Sequence, residues 1–142
     1  MTKPDDLERF VSAQDPIFDQ VRAELRAGQK RSHWMWFVFP QIAGLGLSAM
    51  SRKYAIADLA EAAAYFRHPV LGSRLLECCN LVLAVRNRSL EEIFGTIDAV
   101  KFRSCMTLFA RLPDTDPIFE AALAKYCGSK PDPETLAILQ GP

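Results

Sequence analysis

Residues 94 to 109 read FGTIDAVKFRSCMTLF and carry three side chains of catalytic type, Asp98, Lys101 and Ser104, at helical spacing. On a helix, Ile97, Lys101, Ser104 and Leu108 fall on one face, so a cation and a hydroxyl stand beside apolar neighbours. A half-buried lysine with a carboxylate nearby can polarise or deprotonate a bound ligand. The same lysine can equally lay its stem along a core edge and leave its charge in water. Asp98 falls in the first turn, where its charge complements the helix dipole.

A second constellation has the composition of an anion site. GLGLSA, residues 44 to 49, matches the looser dinucleotide fingerprint G-x-G-x-x-A. Pro40-Gln41 interrupts the run before it and a helical pattern follows, so a Rossmann βαβ unit is not expected. What survives is a glycine-rich turn, Gly44 and Gly46, leading into a helix that begins near Ser48, with Arg52 one turn later. Free backbone N–H groups at a helix start attract anions. The alternative is an ordinary flexible connection. Gln41, at the entry to the turn, joins Gly44, Gly46, Ser48 and Arg52 as a candidate ligand contact.

The third is GQKRSHWMWFVFPQ, residues 28 to 41, which holds both tryptophans of the chain. One reading makes it core, since large rings supply much of a small domain's burial. The other makes Trp34 and Trp36 a stacking face for a flat ligand, with His33 and the nearby cations meeting its charge. Both hold if one indole is buried and the other lines a cleft. His33 alone is more often structural than catalytic. The surrounding charge favours a ligand: residues 21 to 54 contain six cations and one acid, Glu24.

The elements that must position these groups are helical. DPIF occurs at 15–18 and again at 116–119, where Asp can cap and Pro can take the first helical position. The two helices so started run to Gly28 and Gly128. Asp132-Pro133 repeats the signal for a last helix through Leu139. Residues 57–67 are alanine-rich and stop before His68-Pro69. Residues 70–86 have a narrow polar face, Ser73, Glu77, Asn80 and Ala84 and on to Asn87, which makes that helix the expected centre of the core, with Leu75, Cys79 and Val82 inside. Ser89 starts a short turn through Phe94, and residues 97–112 form another helix. WMWFVF is apolar on every side, so periodicity alone does not separate helix from strand at 33–39; with Ser32 as cap and Pro40 as stop, a short buried helix is favoured. The expectation is an all-α fold, a bundle of about seven or eight short helices in one domain over 1–142.

Composition narrows the function classes. Hydrophobic residues are 49%, charged residues 24% and the net charge is zero, which excludes a surface built throughout for nucleic acid. No apolar run approaches the roughly 18 residues of a membrane span, and MTKPDDLERF has no signal-peptide h-region. Cys78, Cys79, Cys105 and Cys127 lack C-x-x-C spacing, and with His33 and His68 they form no ligand-like set, so neither a metal nor a cofactor is expected. Reduced, mostly buried thiols point to the cytoplasm.

RFVSAQDPIF, KRSHWMWFVFPQIAGLGLSAMSRKYAI, HPVLGSRLLECC and IFGTIDAVKFRSCMTLF resemble the bacterial family known as domain of unknown function 1810 over nearly the whole chain. That resemblance implies a compact helical domain. HPVLGSRLLE and the IFG…K region are also similar to NADAR proteins, which act on or bind NAD-, ADP-ribose- or riboflavin-pathway compounds. Two functions follow. One is a pocket protein that binds or hydrolyses a small anionic, nucleotide-like ligand, as an N-glycoside hydrolase would. The other is a protein–protein interaction module with an aromatic-basic face. The first requires a concave site and the second a flat apolar patch.

Overall fold

Asp-Pro occurs three times in the chain, and the structure uses each occurrence differently. The structure is a computed structural model that describes residues 7–141. At Asp132-Pro133 the expected cap forms: the Asp132 carboxylate accepts from the Thr135 amide at 2.9 Å and Pro133 opens the helix. At Asp116-Pro117 the carboxylate accepts from the Ile118 amide at 2.9 Å, but the helix starts one residue after the proline. At Asp15-Pro16 no cap forms, because Asp15 closes the preceding helix and its carboxylate pairs with Arg74 at 2.8 Å.

Ten helices follow in order among the described residues: α1 Glu8–Gln14, α2 Phe18–Ala27, α3 Met35–Val38, α4 Ala49–Lys53, α5 Leu59–Arg67, α6 Leu71–Ala84, α7 Leu90–Phe94, α8 Thr96–Ala110, α9 Ile118–Cys127 and α10 Pro133–Gln140. The fold is all-α, as expected. Ten is close to the seven or eight helices expected, with α3, α4 and α7 short segments of four or five residues. Among the described residues the one strand-like pairing is a parallel bridge between Ile42 and Ile56. No helix of the described residues is long and apolar enough to cross a membrane. Residues 1–6 and 142 of the domain read over 1–142 lie outside the described residues.

Local chemistry accounts for most boundaries. Ser89 and Glu92 form a reciprocal capping box at α7. Asp58 caps α5 by accepting from the Glu61 amide at 2.9 Å. Gly28 and Gly128 end α2 and α9 in the left-handed conformation. The helix expected over 70–86 stops at Ala84, because α9 intercepts its last carbonyls. The Lys125 ammonium donates to the carbonyls of Leu83 and Val85, and the Tyr126 hydroxyl donates to that of Val82.

The core is one contiguous cluster. α6 packs against α2, α5 and α9, while α8 packs against α5, α7, α9 and α10. Leu75, Cys79 and Val82 are all buried, and Cys78 and Cys105 join them. Burial pushes these three thiols well above the ordinary range, so they are protonated packing groups. At Gly72 of α6 there is no room for a side chain: a Cβ there would lie 2.0 Å from the carbonyl oxygen of Phe66 in α5.

Candidate functional site

The aromatic stretch owes its path to a buried carboxylate. After Gly28 turns the chain back, Glu24 of α2 accepts hydrogen bonds from the Arg31 amide at 2.8 Å, the Ser32 amide at 3.0 Å, the Ser32 hydroxyl and the Trp34 indole N–H at 2.9 Å. Burial alone pushes this carboxyl upward, but the four donors outweigh it and hold its pKa at about 2. Ser32 therefore does not cap α3, as its position suggests, because its hydroxyl is spent on Glu24. At the other end of α3 the Gln14 amide donates to the Phe37 carbonyl at 2.7 Å. These anchors settle the ambiguity of residues 33–39: a single helical turn, Met35–Val38, with both ends held by α1 and α2.

The two tryptophans have opposite fates. Trp34 is 1% exposed and packs in the core, so it cannot be the stacking face the sequence allowed it to be. Trp36 is half-buried and faces a cavity. His33 is exposed and lines neither cavity described below. Glu24 draws the loop inward at Ser32 and Trp34 and leaves His33 at the surface between them.

Residues 42 to 56 form a loop closed at its neck. The Ala43 amide donates to the Ile56 carbonyl at 2.8 Å, and the Ile56 amide donates to the Gln41 carbonyl at 2.8 Å. Arg9 of α1 adds a second fastening, its guanidinium donating to the carbonyls of Lys53 at 2.8 Å and Ala55 at 2.9 Å. Inside the loop Ser48 caps α4 as expected, accepting from the Ser51 amide at 3.1 Å. That work occupies the Ser48 hydroxyl, and Ser48 is not among the residues lining the two cavities described below. Gly44 has φ +106, which favours glycine, and a Cβ on Gly46 would meet the Ser51 hydroxyl oxygen at 2.5 Å.

On α8 the expected trio is arranged around Asp98. One Asp98 oxygen lies 2.9 Å from the Lys30 ammonium and the other 3.6 Å from that of Lys101. Lys30 stands over the Trp34 ring and Lys101 over the Trp36 ring, each 5.1 Å from the centroid. Asp98 thus bridges the two ammonium groups and orients Lys101. Ser104 lies one turn on at the buried floor.

Two adjoining cavities result. The first, about 210 Å³, is bounded by Trp36, Gln41, the backbone of Gly44 and Gly46, Arg52 and Tyr54. The second, about 360 Å³, is bounded by Lys101, Ser104, Ile97, Val100, Asp132 and Glu134. Gln41, Leu45, Gly46 and Ser51 line both, so the two adjoin as lobes on either side of these residues, which form the seam between them. Of the residues expected at a site, Trp36, Gln41, Gly44, Gly46, Arg52, Lys101 and Ser104 line the cleft, with Asp98 behind Lys101.

The basic block is largely structural. Arg22 pairs with Asp19 and Glu77, Lys30 pairs with Asp98, and Lys53 stands over Tyr54, which leaves Arg52 as the block's one cation on the cavity lining. Sequence reasoning missed Tyr54, Ser51, Val100 and Glu134 as lining residues, and Arg9, Glu24 and Lys30 as groups that hold the walls. A lone acid in a basic block was the available sign for Glu24. Nothing in the local pattern marks Glu134, which reaches the cleft only because α10 folds back on α8.

A family described as protein of unknown function (DUF1810) matches residues 4–139. A solved structure, the conserved hypothetical protein Rv1873 from Mycobacterium tuberculosis, is 54% identical and superimposes with a TM-score of 0.95 over 99% of this chain and 100% of that one. None of the curated proteins compared with the chain matches it.

Proposed function

The chain belongs to the DUF1810 family, and from that premise we propose that it binds a flat, anionic, nucleotide-like small molecule in the two-lobed cleft. One observation carries the reading: Trp36, the half-buried indole of the aromatic stretch, lines a concave lobe together with Arg52 and touches the Lys101 ammonium beside the next lobe. A ring stacks on an indole face, and guanidinium and ammonium groups meet its charge. The resemblance to NADAR proteins read from HPVLGSRLLE and the IFG…K region would imply the same ligand class. We place the protein in the cytoplasm, where its buried thiols suit a reducing compartment.

If the ligand is also cleaved, as by an N-glycoside hydrolase, Lys101 is the group to stabilise the charge that develops on the leaving group. Asp98 then acts as its positioning residue, and Ser104 supplies a hydroxyl at the floor.

A thermal-shift screen against AMP, NAD, ADP-ribose, FMN and riboflavin tests the binding reading. A specific ligand at 100 times its Kd adds about 2.7 kcal/mol of apparent stability. A screen with no shift for any of the five overturns it.

The second reading, a protein-docking module, rests on the exposed apolar residues around the cleft mouth. Ile97 and Val100 line the second lobe and are 75% and 57% exposed, and Ile138 lies against Gly44. The cleft's concavity favours the small molecule.

A further inference from the structure

We propose that Lys101 sets the charge selectivity of the cleft by occupying the Trp36 ring face until an anionic ligand draws it away. This rests on the small-molecule reading of the cleft and narrows the ligand class to rings that carry negative charge.

The two lysines around Asp98 are held unequally. Lys30 has a side chain only 7% exposed, contacts the carboxylate at 2.9 Å, stands over Trp34 and donates to the Ser32 carbonyl. Lys101 has a side chain 21% exposed, lies 3.6 Å from the same carboxylate and has the Trp36 ring as its other contact. With Lys30 in place, Asp98 is already neutralised. The charge on Lys101 is the surplus of the trio, and moving it leaves the half-buried Asp98 carboxylate still paired with Lys30.

The Trp36 face that Lys101 covers is closed to an incoming ring while the ammonium stands over it, and the two side chains line adjoining lobes, Trp36 the first and Lys101 the second. A neutral ring must displace the ammonium and offers it nothing in return. An anionic ring offers the displaced ammonium a charged acceptor within reach of its four-carbon stem. Lys101 therefore penalises neutral rings and rewards anionic ones.

The test is calorimetric titration of two probe pairs that differ only in phosphate, AMP with adenosine and FMN with riboflavin, into the intact wild-type protein, K101M and K101R. Wild type should prefer the charged member of a pair by about tenfold or more, the scale of a charge-assisted hydrogen bond. In K101M the neutral member should bind more tightly than in wild type, the charged member more weakly, and the preference should shrink to within about threefold. K101R keeps a cation over the ring and should retain the preference. Binding in which K101M weakens both members alike, or leaves the preference intact, overturns the role of Lys101 while the cleft remains a ligand site. Failure of all four probes to bind wild type overturns the small-molecule reading and this inference with it.

Discussion

The Lys101 ammonium stands 5.1 Å from the centre of the Trp36 ring, which joins a side chain of α8 to the one ring of α3 that faces the cleft. Trp34, two residues earlier, gives its indole N–H to Glu24 and lies in the core. The two tryptophans should separate cleanly on substitution. Trp34→Ala should cost about 3–5 kcal/mol in denaturant unfolding, the range for a large buried ring. Trp36→Ala should cost less than half of that and abolish the ligand-induced thermal shift. Equal destabilisation by both would mean that Trp36 is a core residue and not a binding face.

Glu24 links stability to pH. Its carboxyl titrates at about 2 in the folded protein against an ordinary value of 4.5. A depressed folded pKa stabilises the fold above the unfolded pKa, and that contribution is lost as pH falls from about 4.5 to about 2. Glu24→Gln should cost about 1–3 kcal/mol at pH 7, since it leaves buried donors poorly met. It should also flatten the acid limb of the stability curve between those two pH values. An unchanged acid limb in the variant would assign the effect to other carboxylates.

Leu75 sits at the centre of α6 and is fully buried. Leu75→Ala should destabilise by about 2–5 kcal/mol through lost transfer energy and the cavity left behind. A loss under about half a kcal/mol in chemical denaturation would show that the site collapses without cost.

Gly46 lies on the seam between the lobes, where an added Cβ would meet the Ser51 hydroxyl oxygen at 2.5 Å and its Cβ at 2.6 Å. Gly46→Ala should push Ser51 away from the seam and cost about 1–3 kcal/mol, as overpacking does. It should also weaken AMP and FMN more than Arg52→Gln weakens adenosine, because the seam shapes both lobes while Arg52 meets only charge. Gly46→Ala with wild-type affinity for both phosphates would place their binding outside the cleft.

The helices were legible in the sequence wherever local chemistry decides. Ser48, Ser89 and Asp132 sit at their caps, and the apolar face of α6 was read correctly from its spacing. Asp15 misled because a tertiary partner, Arg74, claims its carboxylate. Ser32 misled in the same way through Glu24. The α8 face with Lys101 and Ser104 was visible as a period, but its opposite wall was not. Glu134 and Tyr54 reach the cleft through the return of α10 and the closure of the 42–56 loop, which no window of neighbouring residues encodes.

The neck of that loop has a further consequence. Its two fastenings at Gln41, Ala43 and Ile56 run from main chain to main chain, and Arg9 grips the carbonyls of Lys53 and Ala55. None of them depends on the side chains between 44 and 52. The stretch from Gly44 to Arg52 is thus a cassette, sewn at its ends to an unchanging helical frame. Substitution at its exposed positions, Arg52 among them, can retune what the first lobe accepts while the core beneath stays as it is.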